Sequence, residues 1–235
     1  MSSLHLGLIG AGGLGGEIGE GLVRKGVGRL WISDFDRVER TNLNRQLFDA
    51  SDIGKPKALC LARRLSKMGF GGTVITGVPM SFQEAVEAGL VEQMDGLICG
   101  VDNNQTRVDA CEHALQNNLP IFYTAVSRDG NNGTVLIQLP GKACYGCFYK
   151  NVPQMMKDGG RLLCPADPAV KDILKVMGGI VLFAVDSVFM ERKRNWNFRE
   201  FFFCGFVGER VANVARKADC PLCGSEKSAP GGVTP

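Results

Sequence analysis

Apolar residues along the chain alternate between short, dense runs and longer stretches where they recur every three or four positions. The run Leu4–Ile9 breaks at Gly10-Ala-Gly-Gly-Leu-Gly15, a helix-compatible stretch follows to Lys25, and Arg29–Ser33 is dense again, which predicts a strand, turn, helix, strand unit. Pro56 suits the first turn of a helix reaching Met68, Thr73–Gly77 reads as a strand, and Ser81 with Glu84 makes a capping box for a helix to Met94. Gly96–Cys99 predicts a fourth strand, Asn103–Gln116 a helix and Pro120–Ala125 a fifth strand. This alternation predicts an α/β, doubly wound, Rossmann-like and mainly parallel sheet with helices on both faces. From Gly133 the rhythm changes to a strand pair, a Cys-rich turn, a long apolar helix near Lys171–Met190, an aromatic strand-like run at Phe201–Phe203 and a second Cys-rich turn.

Composition narrows the function classes. A chain of 235 residues with 45% apolar composition can bury a full core as one large or two small domains. The 27 basic and 24 acidic side chains leave a net charge of +3, too small and too scattered for a nucleic-acid footprint. Met1–Gly10 lacks a basic n-region and a cleavage site and reads as a first strand, so no secretory signal is expected there. The longest apolar run, Gly178–Val185, stops at Asp186, short of the ~20 residues a membrane helix needs, and reads as a buried core helix. Nine cysteines, an odd number without an export signal, point to a reduced, cytoplasmic setting in which paired spacing signifies metal binding.

Gly10, Gly12, Gly13 and Gly15 follow a strand and open a helix, the context in which glycines let backbone N–H groups and a helix N-terminus approach phosphate. Asp34, at the end of the second strand, is placed to accept hydrogen bonds from ribose hydroxyls. Dehydrogenases use the same device, so these residues imply a nucleotide and leave an NAD-dependent oxidoreductase open. The following segment carries Asn42, Asn44, Arg45 and Gln46, a polar cluster suited to phosphate chemistry or to a solvated loop. Lys57, at a helix start, offers a second cation for a triphosphate or simply decorates the surface. Asp102 and Asn103 follow the fourth strand at the carboxyl edge of the sheet, where an acid can hold Mg2+ between phosphates or cap a helix.

Cys144-Tyr-Gly-Cys147 and Cys220-Pro-Leu-Cys223 together supply four thiolates for a closed tetrahedral Zn2+ site that would clamp the end of the chain onto its middle. A thioredoxin-like redox role is the rival for either pair alone. Of the other cysteines, Cys60, Cys99, Cys111 and Cys204 are expected to be inert core residues, whereas Cys164, beside Arg161 in a Gly-rich stretch, is a candidate nucleophile.

In this order the motifs resemble the ThiF, MoeB and HesA adenylyltransferases and the adenylation domains of ubiquitin-activating enzymes, over most of the chain. The resemblance implies that Gly13 and its neighbours contact ATP, Asp34 holds the ribose, Asn42, Arg45 and Lys57 engage the phosphates, and Asp102 serves Mg2+. It implies an ATP-dependent adenylyltransferase that activates the C-terminal Gly-Gly carboxylate of a small ubiquitin-like or sulfur-carrier protein. The acyl-adenylate would pass to Cys164 as a thioester, or to an external sulfur donor or conjugating enzyme. Relatives of this size imply a homodimer. They also imply an N-terminal arginine segment that reaches the partner's ATP; here the first strand begins within a few residues of Met1, so another arginine replaces it, a partner protein supplies it, or adenylation is weakened. A non-catalytic nucleotide-binding module of the same fold is the alternative. The expected organisation is an adenylation domain over 1–140, a zinc-stapled extension over 141–223 in the same structural unit, and a disordered tail over 224–235.

Overall fold

The computed structural model describes residues 1–69, 72–91, 93–127, 129–149, 152, 171–204 and 208–224. Eight strands form one sheet: β1 (His5–Ile9), β2 (Arg29–Ser33), β3 (Val74–Val78), β4 (Gly96–Cys99), β5 (Ile121–Val126), β6 (Asn132–Gln138), β7 (Phe198–Phe202) and β8 (Gly208–Ala212). Their order across the sheet is β3-β2-β1-β4-β5-β6-β7-β8. The first five run parallel. The last three are antiparallel additions on the β5 side. Chain order reverses between β1 and β4, so the topological switch point, where ligands of open α/β sheets bind, lies at the carboxyl ends of these two strands.

The principal helices are α1 (Gly13–Arg24), α2 (Lys57–Leu65), α3 (Phe82–Glu87), α4 (Asn104–Gln116), α5 (Tyr145–Phe148) and α6 (Lys171–Phe189). Strand periodicity sends neighbouring residues to opposite faces. Leu8 of β1 accordingly joins Ile18, Leu61, Met177 and Val181 in the core under α1, α2 and α6. Ile9 joins Trp31, Phe82, Val108 and the four paired cysteines on the other face. Helix α6 lies unusually close to α1 because the contact is made at glycines: a Cβ on Gly21 would stand 2.2 Å from Leu182 Cδ1, and one on Gly13 would stand 2.5 Å from Leu174 Cδ1.

Several local expectations need correcting. The helix begun by the Ser81–Glu84 capping box ends at Glu87 rather than Met94, because Gly89 turns the chain at φ +67° and Leu90 N–H closes back on the Ala85 carbonyl at 2.9 Å. The strand at Gly133 pairs backward, in an antiparallel hairpin with β5 just before it, and on its other side with the distant β7. The aromatic run is a full strand, Phe198–Phe202, followed by β8, whose sequence Gly-Glu-Arg-Val-Ala carries too weak an apolar pattern to announce itself. Helix α6 is buried on one face only, with Val176 44% exposed on the other. Cys204, expected in the core, is exposed just beyond β7. The tail from Ser225 and the candidate nucleophile Cys164 lie outside the described residues.

Candidate functional site

The glycine loop joins β1 to α1 at the switch point. Gly10 sits at φ +100°, a conformation that L side chains rarely adopt. Gly15 is needed for a different reason: a Cβ there would lie 2.1 Å from the Gly10 carbonyl oxygen. At Gly12, the residue preceding the helix, nothing stands nearer to a Cβ than Gln46 Nε2 at 4.0 Å, and no side chain caps the first turn. Helix α1 therefore opens with first-turn N–H groups free of a side-chain acceptor, a site suited to an anion.

At the end of β2, Asp34 ties the glycine loop to the next segment. Its Oδ2 accepts from Ala11 N–H at 2.7 Å and its Oδ1 from Asp36 N–H at 2.8 Å. Burial pushes its pKa up, and the Ala11 hydrogen bond and the Lys57 charge oppose the rise without cancelling it. Lys57 is no surface lysine. It is 7% exposed, and its Nζ donates to Asp36 Oδ2 at 2.9 Å while its own N–H donates to the Asp36 carbonyl at 2.9 Å. The loop between them is braced from below, where fully buried Asp52 pairs with Arg63 and, at 2.8 Å, with Arg64 of α2.

The polar cluster divides by role. Asn42 is buried, and its Oδ1 accepts from Glu39 N–H at 2.9 Å in a capping box, so its side chain shapes the turn. Arg45 Nη1 donates to the Thr41 carbonyl and to Asn44 Oδ1, both at 2.9 Å, acceptors with which a phosphate would compete. Gln46, given no role of its own from sequence, brings its amide beside Gly12, and its buried Oε1 has no hydrogen-bond partner among the described residues. Its position next to Arg45 in the same run was the available signal.

Beyond β4, Asn103 and not Asp102 caps α4, its Oδ1 accepting from Thr106 N–H at 2.8 Å. Asp102 is left exposed at the switch point, with no hydrogen-bond or ion-pair partner among the described residues, so the capping role weighed for it falls to its neighbour. The structure thus brings the glycine loop, Asp34, Lys57 and Gln46 into one connected set, with Asp102 at the end of the strand adjoining β1.

On the opposite face the two Cys-x-x-Cys pairs converge. The sulfurs of Cys144 and Cys220 are 3.5 Å apart, those of Cys147 and Cys223 3.5 Å and those of Cys144 and Cys147 3.9 Å, and all four residues are buried. A tetrahedron with Zn–S bonds of about 2.3 Å has sulfur separations of roughly 3.8 Å, so the donor set fits zinc in number, type and spacing. Lys217 N–H points at Cys147 Sγ at 3.4 Å, a donor suited to a thiolate. Gly146 is required between the pair: a Cβ there would meet Cys220 Sγ at 2.9 Å. The remaining buried thiols behave as packing; burial pushes the Cys99 pKa up to about 11.

Comparison with known proteins matches this geometry. The family model described as "ThiF family" covers residues 1–222. The chain is 26% identical to the ATP-dependent ubiquitin transferase-like protein Cap2 of Escherichia coli over 249 aligned residues, 95% of this chain and 41% of Cap2. It is 28% identical to the sulfur carrier protein adenylyltransferase of Thermus thermophilus over 234 residues, 93% of this chain and 82% of that one. The crystal structure of Escherichia coli MccB with succinimide superposes with a TM-score of 0.79 at 19% identity, covering 95% of this chain and 67% of MccB, a likeness of fold alone. Against several curated relatives the chain spans less than half of the relative's length. With a family model matching nearly its whole length, and with the glycine loop, the Asp34–Lys57 segment and the cysteine pairs set as described, the chain belongs to the ThiF family.

Proposed function

We propose that this chain is an ATP-dependent adenylyltransferase that activates the C-terminal Gly-Gly carboxylate of a ubiquitin-like or sulfur-carrier protein. The observation that carries the reading is the linked set at the carboxyl edge of β1 and β2, where Ala11, Asp34, Asp36 and Lys57 form one chain of contacts beside an uncapped helix N-terminus. A dehydrogenase needs the glycine loop and the acid, but has no use for a buried lysine aimed at that acid's neighbour. The names of the relatives point the same way.

In this reading Gly10, Gly12, Gly13 and Gly15 let the backbone approach the phosphates, and Asp34 accepts from the ribose hydroxyls with the lone pairs its two N–H contacts leave over. Asn42 keeps the turn that presents Arg45 and Gln46, and Arg45 and Lys57 offset charge on the triphosphate. Asp102, with Asn103 fixing the turn behind it, would hold Mg2+, which would supply positive charge against the phosphates. The carboxylate oxygen of the carrier tail bonds to the α-phosphorus as the bond to the bridging oxygen breaks, and pyrophosphate leaves with that electron pair. The residues named contribute position and charge, the terms that dominate such transfers. Zinc held by Cys144, Cys147, Cys220 and Cys223 would be structural, a closed site with no open position.

The homodimer rests on the resemblance alone; the later step, thioester formation on Cys164 or passage to an external sulfur donor, rests on the resemblance and on the Gly-rich context of Cys164, and the cytoplasmic setting on the cysteine usage. No helix among the described residues is long and apolar enough to cross a membrane. Mass spectrometry of a Gly-Gly-tailed carrier incubated with the protein and Mg·ATP tests the reading. A carrier heavier by one AMP supports it, and a carrier recovered unmodified across a panel of such proteins, despite nucleotide binding, favours the non-catalytic module.

A further inference from the structure

The chain has three tyrosines, and all three meet at one place. The rings of Tyr123 and Tyr145 lie tilted against each other with centroids 4.9 Å apart, and those of Tyr145 and Tyr149 do the same at 4.9 Å. Tyr145 belongs to the cysteine knot, between Cys144 and Cys147, and is 1% exposed. Against this cluster lies Arg107 of α4, whose own carbonyl accepts from Tyr123 Oη at 3.5 Å. Its guanidinium reaches back past the start of its helix, where Nη2 donates to the Val101 carbonyl at 2.7 Å. Val101 is the residue before Asp102.

Arg107 is half-buried and held by neutral groups. Among the described residues no carboxylate pairs with it and its Nε has no hydrogen-bond partner, while the Tyr145 hydroxyl faces its guanidinium. Burial disfavours its charge, but the tyrosines and Cys99 around it outweigh that and leave its pKa above the usual value. A carbonyl at a sheet edge can be satisfied by water, so the Val101 contact is not required to complete the backbone.

We propose that Arg107 is a positioning residue for metal-bound nucleotide: backed by Tyr145 of the cysteine knot, it fixes the Val101 carbonyl and so the β4–α4 turn on which Asp102 stands. The knot, on one face of the sheet, thereby sets the geometry of a nucleotide site at the sheet's edge. A lysine could make the same bond to Val101 but not fill the same planar slot against the tyrosines.

The inference rests on the adenylation reading, in which Asp102 serves the metal, and the test separates the two. Mn2+ titration followed by electron paramagnetic resonance, in the presence of a non-hydrolysable ATP analogue, reads metal affinity without a carrier protein. Outer-shell supports of a metal ligand typically contribute about 10–100-fold to affinity. Arg107→Met is expected to weaken Mn2+ binding in the ternary complex by at least about tenfold, Arg107→Lys to restore most of it, and analogue binding in EDTA to stay unchanged in both. Native Mn2+ affinity in Arg107→Met, alongside weakened affinity in Asp102→Asn, overturns the positioning role and leaves the adenylation reading standing. Native affinity in Asp102→Asn sinks the role given to Asp102 and this inference with it. Should Arg107→Met melt early, Tyr145→Phe carries the test: a loss of Mn2+ affinity at an unchanged melting temperature supports the inference, and native affinity overturns it.

Discussion

Two glycines of the same loop are predicted to fail in opposite ways when replaced by alanine. At Gly15 the new methyl would lie 2.1 Å from the Gly10 carbonyl oxygen and 3.0 Å from its carbon, and both obstacles are backbone. Relief requires a shift of about 1 Å between β1 and α1, since carbon and oxygen do not settle much closer than about 3.3 Å, and packed interiors resist such movement. Overpacking typically costs about 1–3 kcal/mol, and an obstacle that cannot rotate away puts Gly15→Ala at the upper end, about 2–3 kcal/mol. For a chain of this size that lowers Tm by roughly 4–12 °C. Gly12 has φ −75° and its nearest neighbour stands 4.0 Å from a Cβ, so Gly12→Ala should fold with stability within about 0.5 kcal/mol of the parent. Its methyl instead occupies the space between the loop and Gln46 that phosphate is to enter, and ATP affinity should fall about tenfold or more, 1.4 kcal/mol per decade. Thermal melts and calorimetric titration with ATP read the two effects separately. Parent-like melting of Gly15→Ala, or equal destabilisation by both changes, refutes the argument.

Three further outcomes follow from the same contacts. Elemental analysis should find one zinc per chain, and chelation or Cys220→Ser should unfold the extension at a temperature where the parent is intact, because the binding energy of a closed structural site is folding energy; a metal-free protein with parent stability contradicts this. Ser51 and Arg64 hold the Asp49 carboxyl below its usual 3.8, and at Asp52 the upward push of burial is outweighed by Arg64 and the Asp49 backbone. Lowered carboxyl pKa values contribute stability that is complete above the unfolded value near 3.8 and lost as pH falls below it, so urea midpoints should drop on the acid side and Arg64→Met should flatten that drop. Iodoacetamide should label Cys204 in the folded protein and reach Cys99 only after denaturation, as peptide mapping would read.

The sequence made the centre of the parallel sheet legible because three of its strands are dense apolar runs ended by a glycine or an acid: Leu4–Ile9 before Gly10, Arg29–Ser33 before Asp34, Gly96–Cys99 before Gly100. The antiparallel half was less so. Strand β8 exposes most of its residues and is specified by its pairing to β7, a contact that periodicity does not carry. The end of α3 was missed because Gly89 stops the helix by its backbone conformation, while Met94, taken as its last turn, is buried against β1 from the loop beyond. In the site, glycine spacing and the cysteine pairs were readable because backbone approach and metal geometry impose a spacing. Lys57 was ambiguous for the opposite reason: whether a helix-start lysine faces solvent depends on a tertiary neighbour, here Asp36. The division of the Asp102–Asn103 pair into a free acid and a cap, and the reach of Arg107 back to Val101, are likewise properties of one turn's backbone.

The central claim is adenylation at the edge of β1, β2 and β4, and pyrophosphate–ATP exchange tests it most directly. The purified protein is assayed with a panel of small Gly-Gly-tailed proteins beside the Asp102→Ala variant. The account predicts exchange with at least one of them, dependent on the intact tail and abolished in Asp102→Ala. ATP binding without exchange for any tail, or exchange that survives Asp102→Ala at the parent rate, contradicts it.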